Sequence, residues 1–301
     1  MAARNIAYLE LTLAMVLVGS TVVAGKLAGA TVAPLTATAL RLALALPAFL
    51  LLLRWRRTPL PALDRHDRVL LCVQAAAGSV GYTAFLLAGL ARLPAADAGI
   101  VLGTLPAVSA LLAATLPGER AGAATWLAVA LATMGVLLVS GARSGAAGVP
   151  LDPAGLALVL GAVVCEAGFI LGARWLRTPL PPVLLSTLLA ALGLPLALAG
   201  ALLFEAPWRA RPDAQAWAAL LYYALVPTVA GFVLWYSGLA RLGAGGGTRA
   251  AVFTAFAPVS AVLLSALVLR EPLLPAQLAG MGCVAAAAMA AAAPRPQRPT
   301  A

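Results

Sequence analysis

The stretch Gly89-Leu90-Ala91-Arg92-Leu93 returns later in the chain as Gly238-Leu239-Ala240-Arg241-Leu242. A second pair follows in the same order, Pro106-Ala107-Val108-Ser109-Ala110 and Pro258-Val259-Ser260-Ala261-Val262. Thirteen residues after each of these prolines stands an acid, Glu119 and Glu271. The two copies align once about three extra residues are placed in the second, within residues 243–247. Self-similarity of this kind marks a chain built from repeated structural units. The units run over residues 1–141 and 154–293, with a linker at 142–153 and a tail at 294–301.

Composition says what the unit is made of. Of 301 residues, 63% are hydrophobic and 10% charged, with a mean hydropathy of +1.00. Soluble domains average about 45–50% apolar and about 25% charged. This chain lacks the polar surface to wrap a soluble globule, and it is equally unlike a disordered, collagenous or disulfide-stapled protein. Ten apolar runs stand between clusters of Pro, Gly and charge, at residues 6–25, 34–53, 69–90, 95–116, 124–141, 154–173, 183–204, 215–239, 247–269 and 275–293. A membrane-spanning helix needs about 20 such residues. The runs are apolar all round, as lipid-embedded helices are, and they lack the alternation of barrel strands about ten residues long. Residues 6–25 are too long for a signal peptide and read as a span that stays. The expected fold is an all-α integral membrane protein with ten transmembrane helices. Each copy holds five spans, an odd number, so the second must cross the membrane in the opposite sense. Two inverted five-helix repeats are how many secondary transporters build two related access states around a site near the midplane.

The net charge of +10 does not make a nucleic-acid stripe, because the arginines are scattered between apolar runs. It reads as orientation. With the N-terminus inside, the inner segments carry Arg4, Arg54, Arg56, Arg57, Arg65, Arg68, Arg120, Arg174, Arg177, Arg241, Arg249, Arg295 and Arg298. The outer segments carry only Lys26, Arg92, Arg143, Arg209, Arg211 and Arg270. The excess of inner cations places both termini in the cytoplasm. Cys72, Cys165 and Cys283 each lie in an apolar run without a CxxC partner and are expected to be free, buried and inert. His66 has no partner residues for a metal in the sequence. No Walker motif is present, and neither a metal nor a cofactor is expected.

The chain resembles the EamA family of the drug/metabolite transporter superfamily. The first copy has Val18-Gly19-Ser20-Thr21 where the family has Trp-Gly-Ser, Pro34-Leu35 followed by Leu40-Arg41-Leu42, the Gly-Leu-Ala-Arg-Leu-Pro stretch, Pro106 and Gly118-Glu119; the second has Pro258, Glu271 and Gly280. Span 1 lacks the family's Trp, and span 7 has no counterpart of Arg41. The resemblance implies a ten-helix inner-membrane carrier that exports amino acids, related metabolites or toxic compounds, usually without ATP. Its partners would be a small-molecule substrate and membrane lipid.

Charges within the hydrocarbon cost about 2.5 kcal/mol or more each on insertion scales, and so point to function. Arg41 lies about 10 Å deep in span 2, placed to hold a substrate carboxylate or to bond backbone carbonyls. Glu166 lies near the middle of span 6, where a carboxyl group can take up and release a proton in each cycle or bond a neighbouring helix. Its spacing of eight from Arg174 is similar to the Glu…Lys spacing of the small multidrug resistance proteins. Glu10, four residues into span 1, is a further candidate for the substrate or proton pathway, or else reaches the interface to bind Arg4 or a basic loop residue. Glu119 and Glu271, at equivalent helix ends on opposite faces, read as caps or as gate ion pairs with Arg120 and Arg270. The equivalent prolines Pro106 and Pro258 predict bends in spans 4 and 9. Tyr82, Trp235 and Tyr236 lie in the equivalent spans 3 and 8, where aromatic rings can stack on an organic substrate or pack. Trp208 and Trp217 read as interface anchors. A membrane enzyme is disfavoured, because no Ser/His/Asp, HExxH or paired-carboxylate set is present. The alternative from another class is a non-transporting membrane scaffold or lipid-handling subunit, which would leave Arg41 and Glu166 as an unexplained cost.

Overall fold

The computed structural model describes residues 2–116, 121–146, 152–242 and 252–292. All regular structure among these residues is helical. Ten apolar segments follow in order: α1 (Ala2–Ala28), α2 (Pro34–Trp55), α3 (Arg65–Leu90), α4 (Ala95–Ala114), α5 (Ala123–Ala146), α6 (Pro153–Gly172), α7 (Pro182–Phe204), α8 (Ala214–Leu242), α9 (Phe256–Val268) and α10 (Pro275–Ala292). Eight of them are long and apolar enough to cross a membrane, and α9 and α10 are shorter apolar helices.

Local chemistry sets the ends. Asp64 caps α3 by accepting from the Asp67 N–H, and Asp213 caps α8 by accepting from the Ala216 N–H. Pro34 and Pro182 open α2 and α7 at the first helical positions, where the missing N–H costs nothing. The proline pair Pro106 and Pro258 acts in the same way. A turn at Gly103–Thr104 interrupts α4, and Pro106 sits at the start of the second half, Leu105–Ala114. Pro258 lies in the first turn of α9, which is entered through a 3₁₀ turn at Val252–Ala255.

The two copies pack with matching partners. α1 packs on α8, and the equivalent α6 packs on α3. α2 packs on α7, α4 on α9 and α5 on α10, each helix against its own counterpart. The repeated glycines explain the first of these matches. A methyl group on Gly89 would come within 2.5 Å of Val159, and one on Gly238 within 2.7 Å of Leu11. Glycine is what lets α3 approach α6, and α8 approach α1, this closely. The arginine three residues on completes each contact. Arg92 pairs with Asp152 at 3.1 Å, and Arg241 pairs with Glu10 at 3.0 Å.

A further match was invisible in the hydrophobic pattern. Ala75–Gly81 within α3 and Ala224–Ala230 within α8 are π-helical. They are 149 residues apart, the spacing of the Gly-Leu-Ala-Arg-Leu repeat. The cysteines are free, but Cys72 is exposed and Cys165 and Cys283 are half-buried, because the outward faces of these helices are as apolar as the inward ones.

Candidate functional site

Arg41, 8% exposed, is held between the two π-helical segments. Its Nη1 donates to Thr228 Oγ1 at 3.0 Å; its Nη2 donates to Ser79 O at 3.2 Å and to Thr83 Oγ1 at 2.9 Å. Ser79 and Thr228 occupy the same place in the two copies, 149 residues apart. A π-bulge displaces one residue from the regular ladder and frees backbone oxygens, which is why such bulges gather at functional sites. One guanidinium here uses both bulges. Its Cζ also lies 5.1 Å from the Tyr223 ring centroid, a cation–π distance.

Glu166 on α6 is within electrostatic reach of Arg41, Tyr82, Tyr223 and Tyr236. It is surrounded by protein yet keeps part of its surface accessible. Among the described residues, none donates a hydrogen bond to its carboxylate. Tyr82 and Tyr236 are likewise half-buried, and Tyr236 packs against Phe232 with ring centroids 4.4 Å apart. The structure thus gathers Arg41, Glu166, Tyr82 and Tyr236 into one cluster formed by α2, α3, α6 and α8. Trp235 is half-buried one residue before Tyr236.

The remaining candidates lie elsewhere. Glu10 accepts from Ser237 Oγ at 2.8 Å and from Arg241 Nε, so it fastens α1 to α8 rather than joining the cluster. Glu271 accepts from the backbone N–H groups of Ala95 and Ala96 at 2.8 and 3.0 Å and so caps the start of α4. Glu119 lies outside the described residues. His66 has its nitrogen within 4.8 Å of oxygens on Asp64 and Asp67. Those oxygens are already committed: Asp64 accepts from the Asp67 N–H and from Arg177 Nη1, and Asp67 accepts from the Arg177 and Thr178 N–H groups. This trio ties the start of α3 to the approach of α7. An open recess of about 710 Å³ lies beside it, lined by Asp64, Arg65, His66 and Arg177 among others, far along α3 from the cluster.

Sequence reasoning missed Ser79, Thr83 and Thr228, the groups that orient Arg41. A signal existed for two of them, since the repeat spacing carries Ser79 onto Thr228. It also missed Lys26, whose Nζ donates to the carbonyls of Leu90 and Leu93 at 2.5 and 2.7 Å.

The same two copies appear in comparison with known proteins, where the EamA-like transporter family matches at residues 5–141 and again at 153–292. The chain belongs to the EamA-like transporter family. It is 34% identical over 283 residues to the uncharacterized transporter YetK of Bacillus subtilis (strain 168), covering 92% of this chain and 84% of that one. It is 29% identical over 231 residues to the uncharacterized transporter YdeK of the same organism, covering 74% and 77%. A solved crystal structure shares the fold with a TM-score of 0.63 at 22% identity, covering 97% of this chain and 98% of its own. EamA-like membership makes the chain a multi-pass membrane protein of a transporter family, with a small molecule as its cargo.

Proposed function

We propose that the chain is a secondary active transporter of the inner membrane that exports small metabolites, amino acids or related compounds, or drugs, by alternating access coupled to protons. Its two repeats lie in inverted orientation and both termini face the cytoplasm. The observation that carries this reading is Glu166. It is a carboxylate in the middle of a span, without a hydrogen-bond donor among the described residues, sharing a half-accessible cluster with a buried arginine. A structural acid would be bonded, as Glu10, Glu205 and Glu271 are. An acid left unbonded can be charged in one stage of a cycle and neutral in the next, and burial makes the difference count. The odd number of spans per copy supplies the two access states.

The test compares extracellular metabolites from cells expressing the wild type, Glu166→Gln or an empty vector. The wild type is then reconstituted in liposomes with and without an imposed pH gradient. A compound enriched outside by the wild type alone, and driven by the gradient, supports both export and the role of Glu166. If Glu166→Gln exports normally with an unchanged pH profile, Glu166 is structural and proton coupling through it is wrong. Saturable counterflow in liposomes separates a carrier from a scaffold, which gives none.

A further inference from the structure

The end of α2 reads Arg54-Trp55-Arg56-Arg57, with three cations in four residues. Among the described residues, none of these guanidinium groups has a hydrogen-bond or ion-pair partner. They are not needed as caps. The N–H groups of Arg56, Arg57 and Thr58 already donate to the carbonyls of Leu52, Arg54 and Leu53. The acids that follow in sequence are spent at the start of α3. Asp64 holds Arg177, and Asp67 accepts from the Arg177 and Thr178 N–H groups. α7, the counterpart of α2, ends in Leu202-Leu203-Phe204-Glu205 without a cation, so the cluster is no requirement of the scaffold.

Arg57 also stands where glycine is expected. Its φ of 48° lies in the left-handed region on which helices commonly end. Glycine would make that turn without strain, yet the chain places a third cation there. Arg57 lines an open recess of about 650 Å³ together with Leu51, Arg54 and Trp55. Leu51, Arg54 and Trp55 fall at i, i+3 and i+4, on one face of α2. That face continues into the span through Leu50, Pro47 and Ala43, all exposed. Cations and an exposed indole at the end of an outward apolar stripe match the parts of a phospholipid. Guanidinium groups suit a phosphate, the indole sits at headgroup level, and the stripe takes an acyl chain. The recess has no acid to receive an ammonium group, so a zwitterionic headgroup would bring its own cation against two guanidiniums.

We propose that Arg54 and Arg57, beside Trp55, bind the headgroup of an anionic phospholipid whose acyl chain lies along Leu51, Leu50 and Pro47 of α2. In the orientation with both termini inside, this lipid belongs to the cytoplasmic leaflet, where basic recesses at helix ends meet anionic headgroups. The site does not depend on what the protein carries.

The test uses the full chain in phosphatidylcholine vesicles doped with a small fraction of brominated phosphatidylglycerol or, separately, brominated phosphatidylcholine. Bromine on the acyl chain quenches a tryptophan that it touches. The Trp55 signal is the difference between wild type and Trp55→Phe. It is expected to show at least about a fivefold preference for the anionic lipid, and each arginine lost should weaken that preference about fivefold. Arg57→Gly relieves the turn while removing the charge, so it should melt no lower than the wild type and still lose preference; Arg54→Gln should lose a similar amount. The proposal is overturned if both lipids quench Trp55 equally, if Arg57→Gly and Arg54→Gln keep the preference, or if soluble glycerol phosphate displaces the brominated lipid, which would make this a site for a free phosphate compound. Counterflow in liposomes is read separately, so loss of the lipid preference leaves the transporter reading standing.

Discussion

At the scale of the residue, Arg41 was legible because a charge within an apolar run is conspicuous; its partners were not. A threonine in a membrane helix usually bonds its own backbone, and only the fold reveals which one faces a guanidinium. Thr228 does both, accepting from Arg41 Nη1 and donating to Tyr223 O. Thr228→Val keeps the shape and removes both bonds. Leaving a buried donor unmet costs about 1–3 kcal/mol, and more when it is charged, so the variant should melt several degrees lower, and Thr228→Ser should restore most of the loss. Equal melting of wild type and Thr228→Val would show that the bond carries no weight. The repeat-equivalent ion pairs are lesser contributors. Asp152, outside the spans, is held below the ordinary carboxylate range by the Arg92 hydrogen bond and by the Ala154 N–H. Its lowered folded-state value means that the contribution is present above the unfolded value, about pH 4, and fades as pH falls through the folded one. Both partners are partly exposed, so Asp152→Asn should change the melting temperature little at neutral pH, and less still in high salt.

At the scale of the element, helix starts are stabilised by acids belonging to other helices. Glu205, just past α7, accepts from the N–H groups of Leu35 and Thr36 and from the Thr36 hydroxyl, all at the start of α2. Glu271, past α9, does the same for α4. Each satisfies two orphan donors and complements the helix dipole. Cap losses typically cost about 0.5–2 kcal/mol. Glu205→Ala and Glu271→Ala should each destabilise by about that much, measured by thermal melting in detergent; a variant that melts as the wild type does would remove its cap from the account. The sequence alone placed Glu271 at a helix end and allowed it to be a cap, but could not say of which helix, since that depends on how the two copies interlock. The ten segments were legible because an uninterrupted apolar run has one stable form in lipid. The π-helical segments and the break at Gly103–Thr104 were not, because a helix apolar on every side has no phase whose slip would show. Pro227 lies inside the second π-helical segment, yet Pro47 and Pro195 lie inside regular helices, so proline by itself is no guide.

At the scale of the whole molecule, equivalent positions in the two copies are not in equivalent surroundings, and the difference has a direction. On α1, a methyl group at Gly19 would collide with Ser260 Oγ and Ala257 O of α9. Gly168 occupies the same place on α6, 149 residues on, and has nothing within 4 Å. The Ala95–Leu102 half of α4 is packed on α9, while its Leu105–Ala114 half turns to α6. Counting crossings from α1, the packed half of α4 lies toward the face opposite the N-terminus. Lys26, the chain's single lysine, joins the ends of α1 and α3 on that same face through the Leu90 and Leu93 carbonyls, within electrostatic reach of Glu271. Trp175 stands at the Lys26 position of the second copy and cannot make the same bonds. If the halves exchange packing during transport, this face is the one now sealed and Lys26 holds the seal. In a background without native cysteines, Thr21→Cys, which is buried near the cluster, should resist a membrane-impermeant thiol reagent added from that face. Adding Lys26→Met should make it react at least about tenfold faster, a shift of about 1.4 kcal/mol toward the open form. Unchanged reactivity would leave Lys26 a mere tether. The complementary test places bulk where the second state must close. Gly168→Leu meets open space here and should melt like the wild type, yet abolish counterflow by blocking α6 from closing as α1 has closed. Gly19→Leu should fail to fold, since overpacking against the α9 backbone finds no flexible neighbour to move. A Gly168→Leu protein that is both stable and fully active would show that the two copies never exchange their packing, and alternating access through this pair of helices would have to be abandoned.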